Sequence, residues 1–287
     1  MVDSARCATN YRRSVGDKRE SRAGVLQWIA RRGDPVRAWP RIASLCGLLV
    51  LWWALARLVA APQLLPGPQH VVALAWQQCR AGELPLNLGI TLARVVAAFL
   101  VAMLCGSVLG YAAGRSSRFD GFIDPLAVIA LNLPVLVVVV LAYIWIGLND
   151  VAAIVAVAIA KAPTVFITVR EGARTLDPAL HELGVVYHLS RRRRLARIEL
   201  PQLMPYLAAS ARSGLSITWK IVLIVELLGR PNGVGFVLNL YFQNFNVAGI
   251  LAYGLAFAAI MLTIEAVLLR PWERRANAWR IPGQRHA

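Results

Sequence analysis

Residues 181–201 read HELGVVYHLSRRRRLARIELP, five arginines set into a chain of 287 residues that is 58% hydrophobic. The meaning of that stretch depends on which solvent surrounds it and its flanks. A mean hydropathy of +0.57 with 16% charged residues sets the chain apart from soluble domains. Outward from the quoted stretch lie six apolar runs, approximately 42–61, 89–114, 123–146, 151–170, 203–228 and 247–269. A bilayer core takes about 20 residues of helix. With no water to satisfy peptide groups, each run has to be helical. The sequence therefore predicts an all-α membrane protein with six transmembrane helices. Pro134 and Pro163 fall inside runs three and four, where kinks are expected.

The formal charge of +16 could serve nucleic acid, an anionic surface or topology, and its distribution decides. The segments 1–41, 115–122, 171–202 and 270–287 hold 23 of the lysines and arginines, whereas the alternate loops 62–88, 147–150 and 229–246 hold 2, Arg80 and Arg230. That bias predicts both termini and residues 181–201 on the cytoplasmic side of the membrane. The cations track topology and form no patch with interleaved aromatics, so no nucleic acid is expected as partner. The basic residues 1–41 are expected to be a tail that attracts anionic lipid headgroups, with order near Leu26 to Ala30. No apolar core follows in the first 24 positions, so a cleaved secretory signal is not expected. Cys7, Cys46, Cys79 and Cys105 are widely spaced and predict neither a disulfide framework nor a zinc site. In the first outer loop, residues 69–80 have a helix-forming composition and predict a short helix at the outer interface.

Within the basic stretch the local signals are specific. Asp177 before Pro178 starts a helix, through a capping carboxylate and a proline whose backbone angle suits the first turn. Leu176, Leu180, Leu183 and Tyr187 then follow at spacings of about four, three and four, which places them on one side. A turn is needed near His188 and Leu189, after which Ser190 can cap a second short helix from Arg191 to about Glu199. Its arginines would face outward, with Leu195 and Ile198 toward the bilayer. Two short helices and a turn, bearing an apolar stripe, form a knuckle suited to docking.

The order Glu182-Leu183-Gly184, three residues, His188, nine residues, Ile198, Glu199, Leu200-Pro201 resembles the signature loop of ABC-importer membrane subunits. Thr91-Leu92-Ala93-Arg94, Asp124-Pro125, Pro134, Trp145-Ile146-Gly147, Arg212, Trp219, Glu226-Leu227-Leu228, Gly233-Val234-Gly235-Phe236 and Glu273-Arg274-Arg275 to Trp279 are similar to the nitrate, sulfonate and taurine branch, and Leu65-Pro66-Gly67-Pro68 extends the likeness. The resemblance implies the type I ABC importer permease fold and a homodimer, a second copy of the chain pairing with the first. It also implies an ABC ATPase subunit whose groove receives the knuckle, and a periplasmic substrate-binding protein that delivers a small-molecule substrate. Leu180, Glu182, Leu183, Gly184, Tyr187, His188, Leu189 and Ser190 would be the ATPase-coupling residues. The implied organisation is a tail (1–41), a first helix with its outer loop (42–87), the permease domain (88–271) and a cytoplasmic C-terminal tail (272–287). The chain departs from the pattern at Leu183 and Gly184, where alanines are usual, at Lys161-Ala162-Pro163, and at His188, which replaces a turn glycine. Histidine is among the few other residues that tolerate a positive backbone angle.

Lys18, Lys161 and Lys220 are the lysines, and no GxxxxGK precedes any of them, so ATP hydrolysis is expected in a separate subunit and this chain is expected to be no enzyme. No cofactor or metal is expected; His181 and His188 lack further ligands and are read as surface residues. Lys161, Arg212, Lys220 and Glu226 lie in apolar runs, where charges facing lipid are costly. Arg212 and Glu226 share one face of a helix at about 100° per residue, and either lines the translocation path or snorkels to the nearer surface. Lys161 and Lys220 would favour an anion. A stand-alone secondary transporter is the alternative, but it would need mid-membrane carboxylates and two repeated halves. No repeat is found, and Glu226 and Glu265 are isolated or near the ends of runs.

Overall fold

Proline decides the course of the chain at one apolar run and not at another. At Leu133-Pro134 the backbone turns extended, and the third run divides into α4 (Ser117–Asn132) and α5 (Val135–Ile146), bent by 101°. The expected kink is therefore a break. Leu133 adopts φ −69, ψ 128, the extended geometry that a following proline favours, and the Asn132 side chain donates to the Val128 carbonyl near the end of α4. Pro163 sits inside the unbroken helix α6 (Asp150–Arg174).

The computed structural model describes residues 38–59 and 61–276. The expectations for most of the N-terminal tail, for order near Leu26 to Ala30, and for the C-terminal residues up to Trp279 lie outside the described residues. Two compact units divide after Pro62. The first contributes α1 (Ala38–Val59), whose Leu45, Leu48, Leu49 and Leu51 are all exposed, as in a helix built for an apolar solvent. The second begins with the short helix expected over 69–80, α2 (Pro68–Arg80), and continues with α3 (Glu83–Arg115). After α4 to α6 come α7 (Pro178–Val186), α8 (Arg191–Gly229), α9 (Val234–Gln243), α10 (Val247–Ile264) and α11 (Arg270–Ala276). α10 runs into α11 through a π-helical turn, Glu265–Leu269. α8 contains another, Leu195–Glu199.

Among the described residues, three helices are long and apolar enough to cross a membrane, or up to five when each bent pair counts as one span; residues Ala43–Val59 form a shorter apolar helix. The second knuckle helix, expected to stop near Glu199, instead continues into the span. Pro201 lies in the first turn of the helical segment Leu200–Gly229, and the π-helical turn absorbs the irregularity before it.

α3 and α6 form the spine of the second unit. Gly106, Gly110 and Gly114 recur every four residues on α3. A Cβ at Gly106 would stand 2.6 Å from the Val165 Cβ, at Gly110 2.5 Å from the Phe166 carbonyl, and at Gly114 2.5 Å from the Ala173 Cβ. Backbones in a membrane approach this closely only where side chains are missing. Around the spine, Val95, Val139, Val157, Val225, Val234 and Tyr253 make one core.

Candidate functional site

The knuckle is built as its caps predict. Asp177 accepts from the Ala179 amide at 2.9 Å, and Ser190 from the Arg193 amide at 3.4 Å. Between them His188 holds φ +50, so histidine does occupy the left-handed turn that glycine usually serves. Gly184 is buried, and a Cβ there would meet Ile198 Cδ1 at 2.8 Å. The departure from alanine thus has a local cause: α7 lies directly on Ile198. Leu180 (41% exposed), Leu183 (50%), Val186 and Tyr187 (both 71%) form an open apolar face. Glu182 is exposed beside it, as are His188 and Ser190, with Leu189 half-buried. Leu176, read as part of the stripe, is buried with Ala173 and Leu203, because it precedes the helix and points into the bundle.

Beneath the knuckle is a polar node that the sequence reading missed. Glu199 is 5% exposed; it accepts a hydrogen bond from Tyr111 Oη, and its Oε1 lies 3.2 Å from His181 Nδ1 and 4.0 Å from Arg194 Nε. Arg115 Nη2 lies 3.4 Å from the same His181 nitrogen. His181 is therefore an internal partner, not a free surface residue. Close by, Arg170 pairs with Asp120 at 3.1 Å and with Asp124, and Arg174 reaches Asp120 at 2.5 Å, tying α4 to α6.

The four charged residues read from the apolar runs are not brought together. Glu226, fully buried, accepts from Thr91 Oγ1 at 2.8 Å, Arg94 Nη1 at 2.7 Å and the Gly235 amide at 2.9 Å. Thr91 Oγ1 in turn accepts from the Val234 amide at 2.8 Å. Arg94 also donates to the Asn232 carbonyl at 3.0 Å and to Asp150 at 2.7 Å, and Arg230 pairs with Asp150 at 3.0 Å. A Cβ at Gly233 would meet the Glu226 carboxylate at 2.5 Å, and one at Gly235 the Leu223 carbonyl at 2.3 Å. The Gly-Val-Gly run is what lets the carboxylate be buried. Snorkelling is excluded for Glu226. Arg212 binds Glu273 at 2.6 Å and lies 3.8 Å from Glu265.

Lys161 is 2% exposed, and its Nζ has no hydrogen-bond partner among the described residues. Its Cε lies 3.2 Å from where a Cβ on Gly214 would stand. Lys220 is exposed, with its ammonium 5.5 Å from the Trp219 ring. It borders a cleft of about 250 Å³ between α8 and α10, lined also by Leu215, Ser216, Met261 and Glu265. Ser213, Ser216 and Lys220 follow at helical spacing on α8, where the lysine would be costly if it faced lipid. The sequence carried a usable signal for the missed Arg94: a charged residue deep in one run and an opposite charge in another are expected to pair.

The signature residues thus occupy defined places: Thr91, Arg94, Glu226 and the Gly-Val-Gly run in one buried cluster, and residues 180–190 on one exposed knuckle. Residues 88–270 match the family described as the binding-protein-dependent transport system inner membrane component. The chain belongs to this family. The taurine transport system permease protein TauC of Escherichia coli is 26% identical over 280 residues, covering 92% of this chain and 97% of the relative. The bicarbonate transport system permease protein CmpB of Synechococcus elongatus is 24% identical over 237 residues, covering 78% and 84%. Among solved structures, the inward-facing MetNI methionine ABC transporter matches with TM-score 0.55 at 16% identity, over 72% of this chain and 97% of that one. An amino acid ABC transporter matches with TM-score 0.53 at 18% identity, over 66% and 92%. The all-α membrane permease fold of ABC importers, expected from the signature loop, is the fold observed. The chain is a permease component of a transport system.

Proposed function

We propose that this permease is the membrane subunit through which an ATP-driven importer passes a small anion of the sulfonate, taurine or nitrate kind. In this reading two copies pair in the inner membrane with both termini in the cytoplasm, a periplasmic binding protein supplies the solute, and a separate ATPase receives the knuckle of each copy. The observation that carries it is the open face of α7. Leu180, Leu183 and Tyr187 are exposed beside an exposed Glu182, while the far side of the same helix is packed on Ile198. An apolar face on a helix this firmly seated is suited to a protein groove, and the carboxylate supplies a charge-assisted contact to a basic residue of the ATPase. Rigid docking of this type converts two states of a partner into two access states of a path.

The path is assigned to the accessible face of α8, where Ser213, Ser216 and Lys220 border the cleft, and Lys220 supplies the positive charge an anion would meet. Lys161 stands deeper in the bundle, and Arg212 and Glu226 lie toward its two ends, each held by its own ion pairs. Sulfonate-type solutes are supported by likeness to TauC, and the Lys220 ammonium at the cleft, which Glu265 also lines, agrees with an anion. Glu182→Arg is expected to abolish ATP-dependent uptake while the permease still inserts. Uptake at the wild-type rate would refute the docking role. Lys220→Met is expected to slow uptake of taurine at least about tenfold, within the range of single-site coupling effects.

A further inference from the structure

The knuckle is joined by the chain to α6 before it and to α8 after it, yet it also holds α3, which is remote in sequence. Glu199 makes that link. It closes the π-helical turn Leu195–Glu199, where one added residue turns the following side chains by about 100° around the axis. The carboxylate is thereby buried between elements instead of pointing outward with the arginines of 191–194. From there it accepts from Tyr111 of α3 and lies 3.2 Å from His181 Nδ1 of α7, a nitrogen that either donates to this carboxylate or accepts from Arg115 of α3 at 3.4 Å, and both choices tie α7 to the node. Arg194, 4.0 Å from the carboxylate, balances its charge. A carboxylate so enclosed is costly unless each partner stays in place, which makes the node stiff. In the signature order, position 199 may hold any residue and position 181 precedes the motif, so the family pattern does not specify this node.

We propose that Glu199 is a positioning residue for coupling: it fastens the knuckle to α3, so that a push on α7 from the ATPase moves α3 together with α6. This rests on the reading of α7 as the ATPase-docking helix. Because the α3 glycines pack directly against Val165, Phe166 and Ala173 of α6, a push passed to either reaches both. Loss of the node would leave the knuckle hinged on its two chain connections, and the spans would lag behind the ATPase.

The test uses the full chain, cleared of native cysteines and assembled with its cognate ATPase in lipid nanodiscs. Spin labels at V185C, which lies off the docking face, and V108C, diluted with unlabelled chain, report the separation of α7 and α3 with and without ATP. Both positions are exposed and outside the node. In the otherwise wild-type chain, one distance distribution of unchanged centre and width is expected in both conditions. Tyr111→Phe and Glu199→Gln should each broaden it about twofold on ATP addition, as a second arrangement becomes populated. The double variant should broaden no further than either single one, since both break one link. Stimulation of ATP hydrolysis by the binding protein should fall about fivefold or more. Tyr111→Phe removes one hydroxyl only and decides the matter alone if Glu199→Gln does not assemble. A distribution in Tyr111→Phe as narrow as wild type with ATP, or a wild-type distribution that itself shifts with ATP, would overturn the proposal. Failure of the unmutated chain to assemble with any ATPase would fell the docking reading as well, which separates the two failures.

Discussion

The two ends of the helix bundle solve the problem of polar groups in opposite ways. At the Arg94 end, a carboxylate, a guanidinium, a hydroxyl and two backbone amides satisfy one another around fully buried Glu226, and Gly233 and Gly235 leave no room for anything else. At the knuckle end, the polar groups beneath α7 are satisfied in the same manner, but the helix above them presents leucines, a valine and a tyrosine to the outside. One end is closed upon itself. The other is finished on its inner side only, and the unfinished side is where the proposed ATPase would dock.

If that contrast is right, the greatest loss of stability belongs to the closed end. Arg94→Met leaves Glu226 buried without its cation and should cost about 3–5 kcal/mol. The double variant Arg94→Met/Glu226→Gln should recover a large part of this, both followed by thermal unfolding in detergent. A double variant as unstable as the single one would mean that the pair is not the unit that matters. Next comes the spine, where Gly110→Val would drive side-chain atoms against the Phe166 carbonyl and the Arg170 amide. Neither is free to rotate away, so about 1–3 kcal/mol is expected to be lost. Gly184→Ala restores the residue usual in the signature and meets the tip of a flexible isoleucine. It should cost about 1 kcal/mol or less. Smallest is Glu182→Arg, on the open face, which should leave unfolding within about 0.5 kcal/mol of wild type even as uptake is lost. That separation of stability from transport is the sharpest check on the comparison.

The open face was legible in the sequence because local chemistry writes it. Asp177, Pro178 and Ser190 cap their own helices, and the spacing of Leu180, Leu183 and Tyr187 needs nothing beyond one helical period. The closed end was legible only as separate motifs. Thr91 and Arg94 come from one segment and Glu226 and Gly233 from another more than 130 positions away, and the spacing within each says nothing of the other. The same holds for Glu199 and Tyr111, 88 positions apart. Proline was ambiguous for a related reason: Pro134 and Pro163 both stand in apolar runs, but Leu133 is extended whereas Ala162 stays helical within α6. Asn132, which can take over a carbonyl at a helix end, was the one local hint of the difference.

The bare seam between α3 and α6 also restricts how the molecule can change shape. Sliding one helix along another needs side chains that can swap rotamers as ridges pass over grooves, and along Gly106, Gly110 and Gly114 there are none on one side to swap. Translation would drive the α3 backbone into Val165, Phe166 and Ala173 of α6, so shear between these two helices is opposed. Any rearrangement that opens and shuts a route must therefore be found at their outer surfaces, where longer side chains act as the lubricant.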